Sequence, residues 1–220
     1  MLNCNRETGS GVRIPSFPQK YKEMKVIKET CYKGTRIILG NEKRDLINKM
    51  INVLKEQGFT EISIPIIQSQ DTFTGKVGAE NNNLMYNFTD RGNRNICLAP
   101  EYAAVIQKLS KTTFKNDRNV KVFYVQECFR GEKPAGRFRQ FTQLGVEIIN
   151  PDNDYNDYLQ KIAYSLIELS GRSIVLNTGV TRGLDYYTEG KGFEIACDEL
   201  GSSKPEERDR NPSAPQKIYR

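Results

Sequence analysis

A chain of 220 residues, 37% hydrophobic and with a formal charge of +6, can bury one good core and leaves little for a second. It contains no histidine, which removes imidazole metal ligands, Ser-His and Cys-His nucleophile pairs and the commonest general base, so its chemistry must run on arginine and carboxylate. Five scattered cysteines (Cys4, Cys31, Cys97, Cys128, Cys197) without a CxxC pair argue against a disulfide framework or zinc site, and no long apolar run or apolar N-terminal stretch suggests membrane insertion or secretion, so the expected location is the cytoplasm.

Residues 1–32 are polar and irregular, with Pro15 and Pro18, and read as an N-terminal extension holding at most a short strand or helix. Residues 41–57 place Leu46, Ile47, Met50, Ile51, Val53 and Leu54 at the spacing of an amphipathic helix, which Gly58 stops. Glu61 to Ile67 reads as a strand, and Pro65, which cannot donate to a ladder, puts it at an edge or interface. The DRGN run at 90–93 is a turn signal between Met85 to Thr89 and Asn95 to Leu98, so a hairpin is predicted there. Glu101 then opens a helix, Tyr102 to Leu109, in whose first turn the dipole favours a carboxylate.

The most informative stretch is QECFRGEKPAGRFRQFTQLGVE, residues 126–147. Lys121 to Gln126 and Phe141 to Ile149 have the β-branched and aromatic content of strands, and Gly131 and Pro134-Ala135-Gly136 punctuate the segment between them, which predicts a second hairpin. Alternation sends Gln143, Gly145 and Glu147 to one face and Leu144, Val146 and Ile148 to the other. The expected result is an open polar face with a glycine at its centre, where a ligand could approach closely. Arg130, Arg137 and Arg139 add planar, permanently charged forks suited to phosphate and carboxylate oxygens. Residues 111–150 hold eight Lys/Arg against four Asp/Glu, whereas 151–200 hold four against nine, so the hairpin region carries a basic excess that reads either as a solvated face or as a surface facing the phosphates of RNA. Tyr155 to Ser170 follows as an amphipathic helix and Ser173 to Leu176 as a strand, and the charged, proline-bearing run at 201–220 reads as a disordered tail.

Two of these segments carry a family resemblance. FRGEKPAGRFRQFTQLGVE resembles motif 2 of the class II aminoacyl-tRNA synthetases in its histidyl form, and TRGLDYYTEGKGFE, residues 181–194, resembles the histidine-binding motif of the same enzymes. Upstream, KGTRIILGNEKRDLINKMINVLKEQGFTEISIPII (33–67) is similar to the opening segment with motif 1, and CLAPEYAA (97–104) is similar to the short amino-acid-binding loop. The likeness spans about 33–195, so the expected organisation is an extension at 1–32, a synthetase-like core at 33–200 and a tail at 201–220.

The resemblance implies a role for each matching residue. Arg130 would clamp the α-phosphate of ATP and the amino-acid carboxylate, Glu132 would face the adenine end, Arg137 would reach the outer phosphates and Phe141 would lie against the purine. Glu101 and Gln143 would hold the α-ammonium of histidine. Tyr186 and Tyr187 fall in the histidine-binding motif, where Tyr187 with Glu147 would hydrogen-bond the two imidazole nitrogens. Arg182 would stabilise charge at the α-phosphoryl group during in-line attack. ATP would be a substrate, with Mg2+ carried on its phosphates and no dedicated metal site on the protein. tRNA and a second copy of the chain are the implied partners, the dimer interface being formed by the helix and strand of motif 1.

Three departures from the pattern stand beside these matches. Ala103 occupies a position where the family commonly places a threonine on the ammonium. Only 34 residues separate Glu147 from Arg182, which leaves out the family's inserted domain, and neither motif 3 nor an anticodon-binding domain is recognisable after Ile195. The readings left open are a histidine-activating core, a catalytically inactive histidine sensor like the regulatory subunit of ATP phosphoribosyltransferase, and a non-enzymatic fragment that binds RNA or protein. The expected fold is α+β, a mostly antiparallel sheet of six or seven strands with helices near 41–57, 101–110 and 155–170 on one side.

Overall fold

The computed structural model describes residues 11–13, 25–27, 31–74, 83–131, 138–171, 174–180 and 192–197. Their backbone forms short strands β1 (Gly11–Arg13), β2 (Lys25–Ile27) and β3 (Ile37–Leu39), helix α1 (Glu42–Glu56), and strands β4 (Thr60–Glu61) and β5 (Ile67–Ser69). Strands β6 (Tyr86–Thr89) and β7 (Asn95–Leu98), helix α2 (Ala103–Lys111), the long strands β8 (Val120–Phe129) and β9 (Gln140–Ile149), helix α3 (Asn156–Glu168), and strands β10 (Ile174–Val180) and β11 (Gly192–Cys197) complete the order. The fold is α+β, and β4 on β8 is the one parallel pairing among the described strands.

The strands do not join into one sheet of six or seven. They form a four-stranded ladder β1-β9-β8-β4, a three-stranded ladder β5-β7-β6 and two pairs, β2-β3 and β10-β11. Pro65 accounts for part of this, because the strand expected at 61–67 meets β8 only at its start, where Thr60 and Glu61 pair and the Ile62 N–H donates to the Phe123 carbonyl, before the chain leaves β8. Pairing resumes at Ile67, now against β7.

The helices also divide. Leu46, Ile47, Met50 and Leu54 of α1 and Leu159, Ile162, Ala163, Leu166 and Ile167 of α3 pack with Phe123, Leu144, Val146 and Ile148 on one face of the hairpin, together with Phe193 and Ile195 of β11. Ala104, Val105 and Ile106 of α2 instead pack with Val122, Tyr124, Cys128 and Ile149 on the other face, along with Phe73, Cys97 and Tyr102. All three helices were expected on one side. With both faces of β8 and β9 covered, the alternation expected along β9 holds, but its polar face is interior rather than open.

At the β6–β7 turn, Asp90 Oδ1 accepts from the N–H groups of Gly92 and Arg94, each at 2.9 Å, and Asn93 takes a φ of 57°. The carboxylate also pairs with the Arg94 guanidinium at 2.6 Å, which with the hydrogen bonds holds Asp90 below the usual carboxylate pKa. Lys121 ties the start of β8 to α3, with Nζ 3.0 Å from the Tyr158 hydroxyl and above the rings of Tyr158 and Phe59.

Candidate functional site

The inner face of β9 presents Gln143 and Glu147, at 4% and 0% exposure, with Gly145 between them. Antiparallel register sets Tyr124 of β8 opposite Gly145, Val122 opposite Glu147 and Gln126 opposite Gln143. The tyrosine ring lies across the glycine: a Cβ built on Gly145 would be 1.9 Å from Tyr124 Cζ. The sequence reading reserved that space for a ligand, whereas the structure fills it with Tyr124.

Around this ring the polar groups are linked. Gln143 Nε2 donates to the Tyr124 hydroxyl at 3.3 Å, and Cys128 Sγ donates to Gln143 Oε1 at 3.0 Å. The Tyr102 ring packs at 59° against Tyr124 with centroids 5.2 Å apart, and its hydroxyl donates to the Glu127 carbonyl at 2.8 Å. Burial, then the charge of Glu147, pushes the Tyr124 phenol well above its ordinary pKa, so it stays protonated and can donate. Tyr124 and Cys128 were not assigned to the site from sequence. The available signal was cross-strand register, since an aromatic facing a glycine in an antiparallel pair covers it.

Glu147 is the electrostatic centre of this cluster. Its carboxylate is fully buried, and neither oxygen has a hydrogen-bond partner among the described residues. Burial first, and the neighbouring charge of Glu101 second, raise its pKa well above the usual carboxylate range. A buried acid without a donor is costly to ionise, and a ligand bringing N–H groups or positive charge removes that cost.

Glu101 reaches the same place from the other side. The sequence predicted it in the first turn of α2, but the helix begins at Ala103 with Tyr102 as its N-cap, so Glu101 precedes the cap. Its carboxylate turns inward, 1% exposed, and pairs with Arg130 Nη2 at 3.7 Å. Ala103 lies buried at the first helical position.

Arg130 continues the hairpin past β8, its N–H donating to the Arg139 carbonyl at 2.9 Å. Its Nε donates to the Pro100 carbonyl at 2.9 Å, and its guanidinium lies 5.6 Å from the centroid of Phe141. The structure thus joins Glu101, Arg130 and Phe141 at the loop end of the hairpin, while Gln143 and Glu147 follow along the inner face of β9, Glu147 within reach of the Glu101 charge. Glu132, Arg137, Arg182, Tyr186, Tyr187 and the tail at 201–220 lie outside the described residues. Arg139 goes elsewhere: its Nη1 donates to the Tyr32 hydroxyl at 3.0 Å and its guanidinium stacks on that ring.

Chemically, the cluster offers a shielded carboxylate, a phenol, an amide and a carboxylate–guanidinium pair, with an aromatic face beside the guanidinium. Such a set suits a small molecule with cationic nitrogen at one end and oxyanions at the other.

Comparisons with known proteins bear on this arrangement. The sequence model of the family described as histidyl-tRNA synthetase matches residues 40–169, more than half of the chain and inclusive of β8 and β9. The histidine–tRNA ligase of Methanococcus vannielii is 38% identical over 130 residues, covering 57% of this chain and 31% of that protein. That of Methanospirillum hungatei JF-1 is 33% identical over 153 residues, covering 67% and 38%. This chain therefore spans about a third of the length of these curated relatives.

Among solved structures, apo Staphylococcus aureus histidyl-tRNA synthetase aligns with a TM-score of 0.55 at 27% identity, over 69% of this chain and 38% of that one. An ATP phosphoribosyltransferase regulatory subunit/histidyl-tRNA synthetase from Bacillus halodurans C aligns with a TM-score of 0.57 at 17% identity, over 74% and 42%, a likeness of fold alone. No helix among the described residues is long and apolar enough to cross a membrane. The matched segment contains Glu101 and the β8–β9 hairpin with Arg130, Gln143 and Glu147, and on that match the chain belongs to the histidyl-tRNA synthetase family.

Proposed function

We propose that this chain binds histidine and ATP and joins them as histidyl-adenylate, the activated form from which the amino acid passes to tRNA. The observation that carries the reading is Glu147, a fully buried carboxylate with no hydrogen-bond partner among the described residues, whose charge reaches Tyr124, the phenol bonded to Gln143. Histidine supplies what this group lacks, an N–H donor on an aromatic ring, and Tyr186 and Tyr187 would close the pocket from the other side. The α-ammonium would take Glu101 and Gln143.

Arg130 would exchange part of its contact with Glu101 for the α-phosphate and the amino-acid carboxylate. Phe141, against its guanidinium, would carry the purine, while Glu132 and Arg137 would take the adenine end and the outer phosphates. In the reaction a carboxylate oxygen of histidine attacks the α-phosphorus, the bond from that phosphorus to the bridging oxygen breaks, and pyrophosphate leaves. Arg130 and Arg182 would stabilise the developing charge, and Mg2+ enters on the ATP phosphates.

A homodimer in the cytoplasm belongs to the same proposal. Ile67 and Phe88 share one face of the β5-β7-β6 ladder, since Ile67 aligns with Leu98 and Tyr86, and Phe88 with Ile96 and Ser69; they are 56% and 42% exposed. Sedimentation should show a concentration-dependent dimer, and a compact monomer at all concentrations would remove that element.

ATP–pyrophosphate exchange with and without histidine tests the activity, alongside Arg182→Ala. Histidine-dependent exchange in the parent, lowered about 10²–10³-fold in the variant, is the expected outcome. Exchange no higher in the parent than in the variant contradicts the catalytic reading. Histidine binding without exchange would make the chain a sensor.

A further inference from the structure

The outer edge of β9 is where the N-terminal segment meets the site. There β1 pairs antiparallel with the site strand, Gly11 against Gly145, Val12 against Leu144 and Arg13 against Gln143. On the other edge the same three residues face Tyr124, Val125 and Gln126 of β8. Gln143 and Gly145, one bonded to the Tyr124 hydroxyl and the other covered by the Tyr124 ring, are therefore held between two strands.

The chain makes a second contact a few residues earlier on the hairpin. The Arg139 N–H donates to the Gly34 carbonyl at 2.6 Å, while the Arg139 carbonyl accepts from the Arg130 N–H at 2.9 Å. The segment before α1 thus touches the hairpin on both sides of Phe141.

We infer that β1 is a positioning strand for the ligand pocket: by completing the ladder at Gln143–Gly145 it fixes Gln143 and the glycine that seats Tyr124. The physical basis is the outer edge itself. Without β1, the outward N–H and C=O groups at 143–145 lose their ladder partners and β9 becomes an edge strand at the point where its side chains must be placed most exactingly. The inference rests on the proposed histidine pocket for its functional half. Its structural half stands on pairing alone.

The test uses the full chain with Val12→Pro, Arg13→Pro and the conservative Val12→Ile. Successive N–H groups of a strand point to opposite sides, so only one of the two prolines removes a donor to β9. Hydrogen exchange is followed in a peptide covering 140–149 without ligand, and histidine affinity is measured by calorimetry. One proline variant should speed exchange and weaken histidine binding, each by about threefold to tenfold, the worth of one ladder hydrogen bond. The other proline should have a smaller effect on both, and Val12→Ile should match the parent.

Unchanged exchange in both proline variants overturns the seating of β1. Faster exchange with unaltered histidine affinity overturns its positioning role. Exchange is read without ligand, so failure of the parent to bind histidine would count against the pocket reading alone, while the exchange result still decides whether β1 holds β9.

Discussion

Tyr124 and Gly145 occupy one volume between them: the ring of the first lies where any side chain on the second would sit, 1.9 Å from a Cβ built there. The ring is fully buried and its hydroxyl is bonded to Gln143, so it cannot simply swing into solvent. Gly145→Ala is therefore an overpacking change that must displace Tyr124 or β8. It should cost about 1–3 kcal/mol, read as a lower urea midpoint with an unchanged m-value. Pairing it with Tyr124→Ala should recover part of the loss contributed by Gly145→Ala, since the ring that clashes has gone.

Glu147 makes stability depend on pH in a defined direction. Its folded-state pKa is raised by burial and by the charge of Glu101, with the Tyr124 phenol also nearby, so the folded chain holds a proton that the unfolded chain releases near the ordinary glutamate value. Its contribution is fully present below that ordinary value and is lost as pH rises through the folded-state pKa. Without ligand, the melting midpoint should fall across this window. Glu147→Gln should flatten that part of the profile and raise the midpoint by a few degrees at its alkaline end, a shift corresponding to about 1 kcal/mol. Differential scanning at a series of pH values checks both.

Arg130 should not tolerate lysine. The guanidinium bonds the Pro100 carbonyl through Nε while Nη2 faces Glu101, and an ammonium cannot reproduce both directions. Arg130→Lys keeps the charge but leaves buried acceptors poorly met, at a cost of about 1–3 kcal/mol in urea denaturation. ATP binding should weaken with it, since the flat group against Phe141 is lost.

The legible parts of the fold were those where one local period decides the outcome. Leu46, Ile47, Met50 and Leu54 repeat at helical spacing and form the buried stripe of α1, and Leu144, Val146 and Ile148 alternate and share one core. Glu101, Gln143, Glu147 and Arg130 could be assigned together because their motifs travel together; in the fold Arg130 pairs with Glu101, and Gln143 and Glu147 share the inner face of β9. The covering of Gly145 was not legible, because it depends on which β8 residue stands opposite, and a one-residue slip would change that partner. Placing α2 on the opposite face from α1 and α3 was also out of reach. Its apolar residues specify that a face is buried and leave open which side of the sheet receives it.

Calorimetric titration of histidine into the parent chain and into Glu147→Gln is decisive for the pocket, because Glu147 is a buried carboxylate that a ligand must satisfy. Histidine should bind the parent, and the variant should lose about 2–5 kcal/mol of binding free energy, the cost of removing one partner of a buried charged contact. No binding by the parent, or equal binding by both chains, would contradict the account.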